Sequence, residues 1–320
     1  MNGRGVLRTI QALAVIGLFW AAAVWGADRV SLSVTNLTAF EWDLLVAQDR
    51  KFFEREGLDV KITYMAPPLV INALIAGEVN IAKSGTHFGV IAASRGADVK
   101  IIAAGLYGFP YDLISRPEFK SLADLKGQKI IGATLASVIT VIFKDAMARQ
   151  GIGPSDYTML FVGGSAERYQ ALKSGQVAAS VAEAPPFNFH AIDGGERALL
   201  RYSHVIKNLQ YLSYFTTGKL ATTQGLVLAR FVGAVSQAQR WLNEPGNEAQ
   251  AIQILASHLK IDERTAVRTY RYLIAEDKAY RGAGKIDGAG LAEVIRLLAD
   301  YEMIAKRERW ESLVGSSFLP

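Results

Sequence analysis

The chain has 320 residues, half of them hydrophobic and a fifth charged, with no low-complexity tract, so it is long enough for two ordinary domains and is not a disordered chain. Cysteine is absent, which excludes a disulfide framework, a thiolate metal site, a cysteine nucleophile and a lipid anchor on cysteine. Four histidines (His87, His190, His204, His258) at no ligand-like spacing argue against zinc, and a net charge of +5 without any Lys/Arg run argues against nucleic acid.

Arg4 and Arg8 precede an apolar run from Ile10 to Trp25, and small residues follow at Ala21–Ala23 and Gly26-Ala27. This is the pattern of a signal peptide over residues 1–26, cleaved after Gly26 or Ala23, and the expected location is the periplasm. The alternative is an N-terminal membrane anchor, although the run is shorter than the roughly 20 residues a span requires. Removing residues 1–26 deletes two arginines and no acids and leaves a charge of +3.

The remaining pattern alternates strands and helices. A strand at Val30–Thr35 leads through a polar and aromatic loop to a helix at Glu41–Glu56, stopped by Gly57. Strand Leu58–Tyr64 follows, then Pro67-Pro68 and helix Leu69–Ala76. Strand Val79–Ala82, a turn at Ser84-Gly85, helix Thr86–Arg95 and strands Val99–Gly105 and Tyr111–Ser115 complete a βαβα unit, which calls for a parallel sheet covered on both faces. A second unit of the same design has strands Lys129–Gly132 and Tyr157–Val162 and helices Ser137–Gln150 and Ala166–Lys173. Strand Gln210–Thr216 returns to the first lobe. Beyond Thr222 the period is helical, with helices including Glu248–Leu259, Asp262–Ile274 and Asp287–Ala299.

One stretch occurs twice. Ala73-Leu74-Ile75-Ala76-Gly77-Glu78-Val79 reappears 98 residues later as Ala171-Leu172-Lys173-Ser174-Gly175-Gln176-Val177. The repeat predicts two similar lobes, each with a strand-to-helix turn whose free N–H groups point outward. The expected layout is 27–115 for the first part of lobe 1, 116–209 for lobe 2 and 210–320 for the second, mostly helical part of lobe 1. Crossings near 110–118 and 207–216 would form a two-strand hinge that permits rigid-body closure.

With Asp49–Val60, the two repeats, Ser121-Leu122-Ala123-Asp124-Leu125-Lys126-Gly127-Gln128-Lys129-Ile130, Gly163-Gly164-Ser165 and Pro185-Pro186-Phe187-Asn188-Phe189-His190-Ala191, the chain resembles the solute-binding proteins of ABC importers in the nitrate, taurine, alkanesulfonate and thiamine-precursor group. The resemblance implies an α/β, two-lobed periplasmic binding protein (type II) fold with a two-strand hinge. It also implies a small-molecule solute in the interlobe cleft, delivered to an ABC permease by a monomer that needs no cofactor. Two departures stand out: Ala178 and Ala184 occupy positions where the family often has Asp and Glu.

Ligands of open α/β sheets bind beyond the carboxyl ends of the strands. Ser84, Gly85 and Thr86 combine hydroxyls with a helix start and suit an anionic or carbonyl oxygen, although simple capping uses the same residues. Thr134, Ser137 and Gly164 sit at the matching turns of the second unit. Asn36, Thr38, Phe40 and Trp42 follow the first strand and would wall the cleft, with Trp42 equally suited to the core. Pro67, Tyr107 and Tyr214 occupy loop or hinge positions. Glu183 ends an apolar strand and would bind a ligand amine, a ring N–H or the hinge backbone. His87, with Phe88 and Val90 beside it, reads first as a structural histidine. Gly85 aligns with Glu183 at the repeat spacing, so one lobe would offer N–H groups where the other offers a carboxylate.

With no arginine obvious at these turns, the expected solute is a small organic acid or sulfonate, and the alternative is a nitrogen heterocycle contacting Glu183. The pyrimidine-forming enzymes of thiamine synthesis resemble this group but use a Cys-rich segment that this chain lacks. The expectation is therefore a binding protein and not an enzyme; a receptor-docking sensor subunit is the other rival.

Overall fold

The computed structural model describes residues 26–315 except 36, 134, 136, 163, 164, 207 and 306–308; for 67, 68, 165, 166, 182 and 183 it describes the backbone only. The expected signal peptide lies outside the described residues except for Gly26, as do Asn36, Thr134 and Gly164. No helix among the described residues is long and apolar enough to cross a membrane.

In chain order the elements are β1 (Asp28–Val34), α1 (Trp42–Asp49), α2 (Phe52–Arg55), β2 (Leu58–Tyr64), α3 (Pro67–Ile75), β3 (Ile81–Gly85), α4 (Thr86–Ser94), β4 (Lys100–Tyr107), β5 (Asp112–Ser115), β6 (Lys129–Gly132), α5 (Val138–Arg149), β7 (Thr158–Phe161), α6 (Ser165–Lys173), β8 (Ala179–Glu183), α7 (Phe187–Asp193), β9 (Arg197–Arg201), α8 (Tyr202–Val205), β10 (Gln210–Thr216), α9 (Gly218–Thr223), α10 (Gly225–Leu242), α11 (Glu248–Leu259), α12 (Glu263–Tyr270) and α13 (Gly288–Asp300).

They build two five-stranded sheets, β2-β1-β3-β10-β4 and β7-β6-β8-β5-β9. In each, parallel strands flank one antiparallel strand that has crossed from the other half: β10 pairs antiparallel with β3 and β4, and β5 with β8 and β9. This is the periplasmic-binding-protein fold. β5 is a member of the second sheet, so the first crossing lies between Tyr107 and Asp112, earlier than the hydrophobic pattern suggests.

The internal repeat is structural. Gly77 (φ 77°) and Gly175 (φ 76°) both adopt the left-handed conformation that glycine tolerates. Glu78 N bonds Ala73 O and Gly77 N bonds Leu74 O; Gln176 N and Gly175 N repeat those bonds to Ala171 O and Leu172 O. Both are Schellman closures, which satisfy the last carbonyls of α3 and α6. The register repeats as well: Leu32 faces Ile81 in the first sheet and Ile130 faces Ala179 in the second.

Three boundaries differ from expectation. The helix expected over 41–56 is a short 3-10 turn (Ala39–Glu41), then α1 and α2, broken at Lys51 (φ 56°). The break lets Phe53 stack on Phe231 at 5.5 Å while Phe52 is also buried. β3 begins two residues later than expected and includes Lys83, Ser84 and Gly85, which lie in register with β10. β9, α7 and α8 carried no periodic signal of their own.

Candidate ligand-binding site

The carboxyl ends of β1, β2, β3, β6, β7 and β8 each feed a loop or a helix start, and these turns form the candidate site. Between the two sheets the chain crosses at Gly108–Tyr111 and at 206–209, where Gly108 N donates to Leu209 O at 2.7 Å and Tyr202 N to Tyr111 O at 3.0 Å. Around these crossings an aromatic cluster gathers. Phe40 meets Tyr111 (5.5 Å) and Tyr211 (6.2 Å) edge-on, Phe109 packs on Tyr111, Tyr202 and Tyr211, and the Tyr111 and Tyr211 hydroxyls lie 3.1 Å apart. Phe40 thus joins the first-lobe loop to the hinge.

Exposed apolar side chains concentrate at the same ends. Among the described residues eleven large apolar side chains are exposed, and seven of them (Leu37, Tyr64, Leu69, Leu135, Phe161, Val162 and Phe187) lie at or just beyond these ends. Tyr64 ends β2, Leu37 follows β1, Leu69 (55%) is in the first turn of α3, Leu135 (68%) follows β6, Val162 follows β7 and Phe187 opens α7. Apolar side chains held in water at these points are candidates for contact with an apolar solute.

Beneath the first-lobe turns lies an ionic cluster that no sequence spacing announced. Lys83, fully buried on β3, donates to Phe40 O (2.6 Å) and to Asp43 Oδ1 (2.7 Å), and pairs with Glu41 Oε2 at 2.8 Å. Asp43 Oδ2 also accepts from the Tyr214 hydroxyl (2.8 Å) and from Gln239 Nε2 (2.9 Å). Burial works against the Lys83 charge, but the two carboxylates prevail and hold its pKa above the usual value. Burial pushes the Glu41 carboxyl up despite Lys83. The usable signal was a Glu-x-Asp pair and a lysine inside apolar segments, each too costly to bury alone.

The structure sorts the expected residues. Trp42 is fully buried, donates Nε1–H to Ala251 O at 3.2 Å and meets Tyr270 edge-on at 6.0 Å; it is core. Tyr214 is committed to Asp43, and Tyr107 is buried with its hydroxyl bonded to Lys285 O, so neither faces the turns. Thr38 accepts from Phe40 N and Ser137 from Ile139 N, both at 3.2 Å, which are capping roles. Pro67 opens α3. Thr86 Oγ1 lies 2.7 Å from Ser213 Oγ. Ser84 and Gly85 end a strand instead of forming a turn, so the unpaired N–H groups belong to the first turn of α4. The Ser84 hydroxyl is fully buried without a hydrogen-bond partner. Glu183 is the last residue of β8, opposite Asp112.

His87 lies in the first turn of α4, 6% exposed, with its ring against Gly85 and 4.0 Å from that of Phe88. A β-carbon at Gly85 would come within 2.3 Å of the imidazole, so glycine there makes room for it. Burial lowers the His87 pKa to about 3 and keeps the ring neutral. In the second unit Arg168, in α6 and 3% exposed, reaches Val162 O at 3.4 Å; it is the arginine that the turn motifs alone did not reveal. A separate concavity lined by Arg50, Arg55, Arg240 and Trp241 lies away from these turns. There the arginines close α1, α2 and α10, where cations offset the helix dipole, and that accounts for them.

A family described as "NMT1/THI5 like" matches residues 42–249. The chain belongs to that family. A relative from Brucella abortus (strain 2308), described as a "Putative binding protein", is 26% identical over 162 residues, 48% of each chain, so this chain spans about half the length of the curated relatives it matches. The alkanesulfonate-binding protein SsuA of Xanthomonas axonopodis pv. citri bound to MOPS superposes with a TM-score of 0.71 at 19% identity, covering 89% of this chain and 97% of that one. The aliphatic sulphonate binding protein SsuA of Escherichia coli gives 0.72 at 17%, covering 91% and 98%. The matched relative and both structures carry descriptions as binding proteins.

Proposed function

We propose that this protein is an exported solute-binding subunit of an ABC importer, which closes its two lobes on a small organic solute and passes it to a membrane permease. The observation that carries this reading is that exposed apolar side chains, Leu37, Tyr64, Leu69, Leu135, Val162 and Phe187, stand at or just beyond the carboxyl ends of strands in both sheets. Such side chains suit a solute with an apolar body, and closure would remove that surface from water at about 25 cal/mol per Å². The first-turn N–H groups of α4 supply polar partners for an acidic head, so an organic acid or a sulfonate is the first reading, and the sulfonate-binding proteins of the same fold support it. A nitrogen heterocycle is the second reading, favoured by the Glu41 carboxylate. Periplasmic location and a monomeric state belong to the same proposal.

Titration calorimetry against sulfonates, aromatic carboxylates, nitrate and pyrimidines tests it. Micromolar binding by at least one organic member, with a rise in melting temperature, is expected. Failure of the whole panel to bind would sink the proposal.

A further inference from the structure

Resting on the solute-binding reading, we infer that Glu41 is the residue of the first-lobe wall that reads a nitrogen-borne hydrogen-bond donor on the solute. Glu41 and Asp43 share one ammonium, that of Lys83, and all three side chains are buried. Asp43 is saturated: Lys83, Leu44 N, Tyr214 and Gln239 donate to its two oxygens at 2.7 to 2.9 Å. Glu41 is not. Its Oε1 has only the Thr35 hydroxyl at 3.4 Å, and its Oε2 has only the Lys83 ammonium at 2.8 Å. A carboxylate can accept about four hydrogen bonds, so this one keeps capacity where the other has none.

Position gives that capacity a use. Glu41 closes the turn after β1, in the same loop as exposed Leu37. Ser84, the next residue of β3 and so on the opposite face from Lys83, is a separate group whose fully buried hydroxyl has no partner. Glu41 therefore offers a carboxylate whose one cation is already shared with Asp43. An amine, amidine or ring N–H meets such a carboxylate at lower cost than a bare anion does.

The test compares matched pairs by calorimetry: 3-aminopropane-1-sulfonate against butane-1-sulfonate, and 4-aminopyrimidine against 4-methylpyrimidine. In each pair that binds, the nitrogen-bearing member is expected to bind at least tenfold tighter to the native protein. Glu41→Gln should reduce that ratio at least fivefold, whatever it does to stability. The ratio in the native protein is decisive if the variant fails to fold. Equal affinities within a pair, or binding confined to compounds without an N–H, overturns the role of Glu41 and leaves the solute-binding reading standing. No binding by any pair or by the wider panel overturns both.

Discussion

At the scale of single residues, the buried Lys83 is the most consequential side chain. Lys83→Met would leave Glu41 and Asp43 buried side by side with no cation, and loss of one member of a buried ion cluster costs about 3–5 kcal/mol. Urea denaturation should show a drop of that size. His87 gives a pH signature of known sign. Its folded pKa of about 3 lies below the ordinary value of 6.5, so the neutral ring contributes fully above pH 6.5 and the contribution is lost as pH falls toward 3. From this group alone, stability at pH 5 should be about 2 kcal/mol lower than at pH 8. His87→Gln should remove that difference, which melting at the two pH values checks. These residues were poorly legible in the sequence, because Lys83, Asp43 and Gln239 lie far apart in the chain and meet only through the packing of α1, β3 and α10. Trp42 illustrates the converse: its place after β1 suggested a cleft wall, and its indole hydrogen bond to Ala251 fixes it in the core.

At the scale of elements, the repeated closure of α3 and α6 was readable because glycine is the residue that a left-handed helix end favours. Gly77→Ala and Gly175→Ala should each cost about 1 kcal/mol, and by similar amounts, since the two turns make the same pair of hydrogen bonds. Unequal losses in chemical denaturation would show that the two closures differ in energy despite their shared geometry. The strand between them was placed two residues early because Val79 extends the apolar run, while Lys83 and Ser84 look polar. Pairing with β10 on one side and β1 on the other keeps those polar residues inside the sheet. Short elements such as β9 and α8 left no periodicity to read, and their existence follows from pairing with β5 and from the second crossing.

At the scale of the whole molecule, the hinge is more than two strands. The C-terminal region reaches back to the second unit: Arg201 of β9 bonds Tyr272 O at 2.8 Å and pairs with Asp277, and Tyr272 donates to Asp112 Oδ1 at 2.8 Å. Arg149 and Asp145 of α5 pair with Glu293 and Arg296 of α13 at 3.2 and 3.3 Å. The α5–α13 pairs are partly exposed and worth about 1 kcal/mol or less each. Arg296→Ala should lower stability by no more than about 1 kcal/mol in urea titration and leave the fold intact. The two-lobe plan was legible from the repeat and the strand–helix alternation. The crossing point was not, because β5 carries the same apolar pattern whichever sheet it joins.

The central claim is that one solute is gripped by both halves. Leu37 and Leu135 sit beyond β1 and β6 and are exposed, so Leu37→Asp and Leu135→Asp should leave the melting temperature of the free protein within about 2 °C of the native value. Calorimetry with whichever panel compound binds best is the decisive measurement. Both variants should bind it at least tenfold more weakly than the native protein. Unchanged affinity in either variant would place the solute outside the groove between the two sheets and contradict the account.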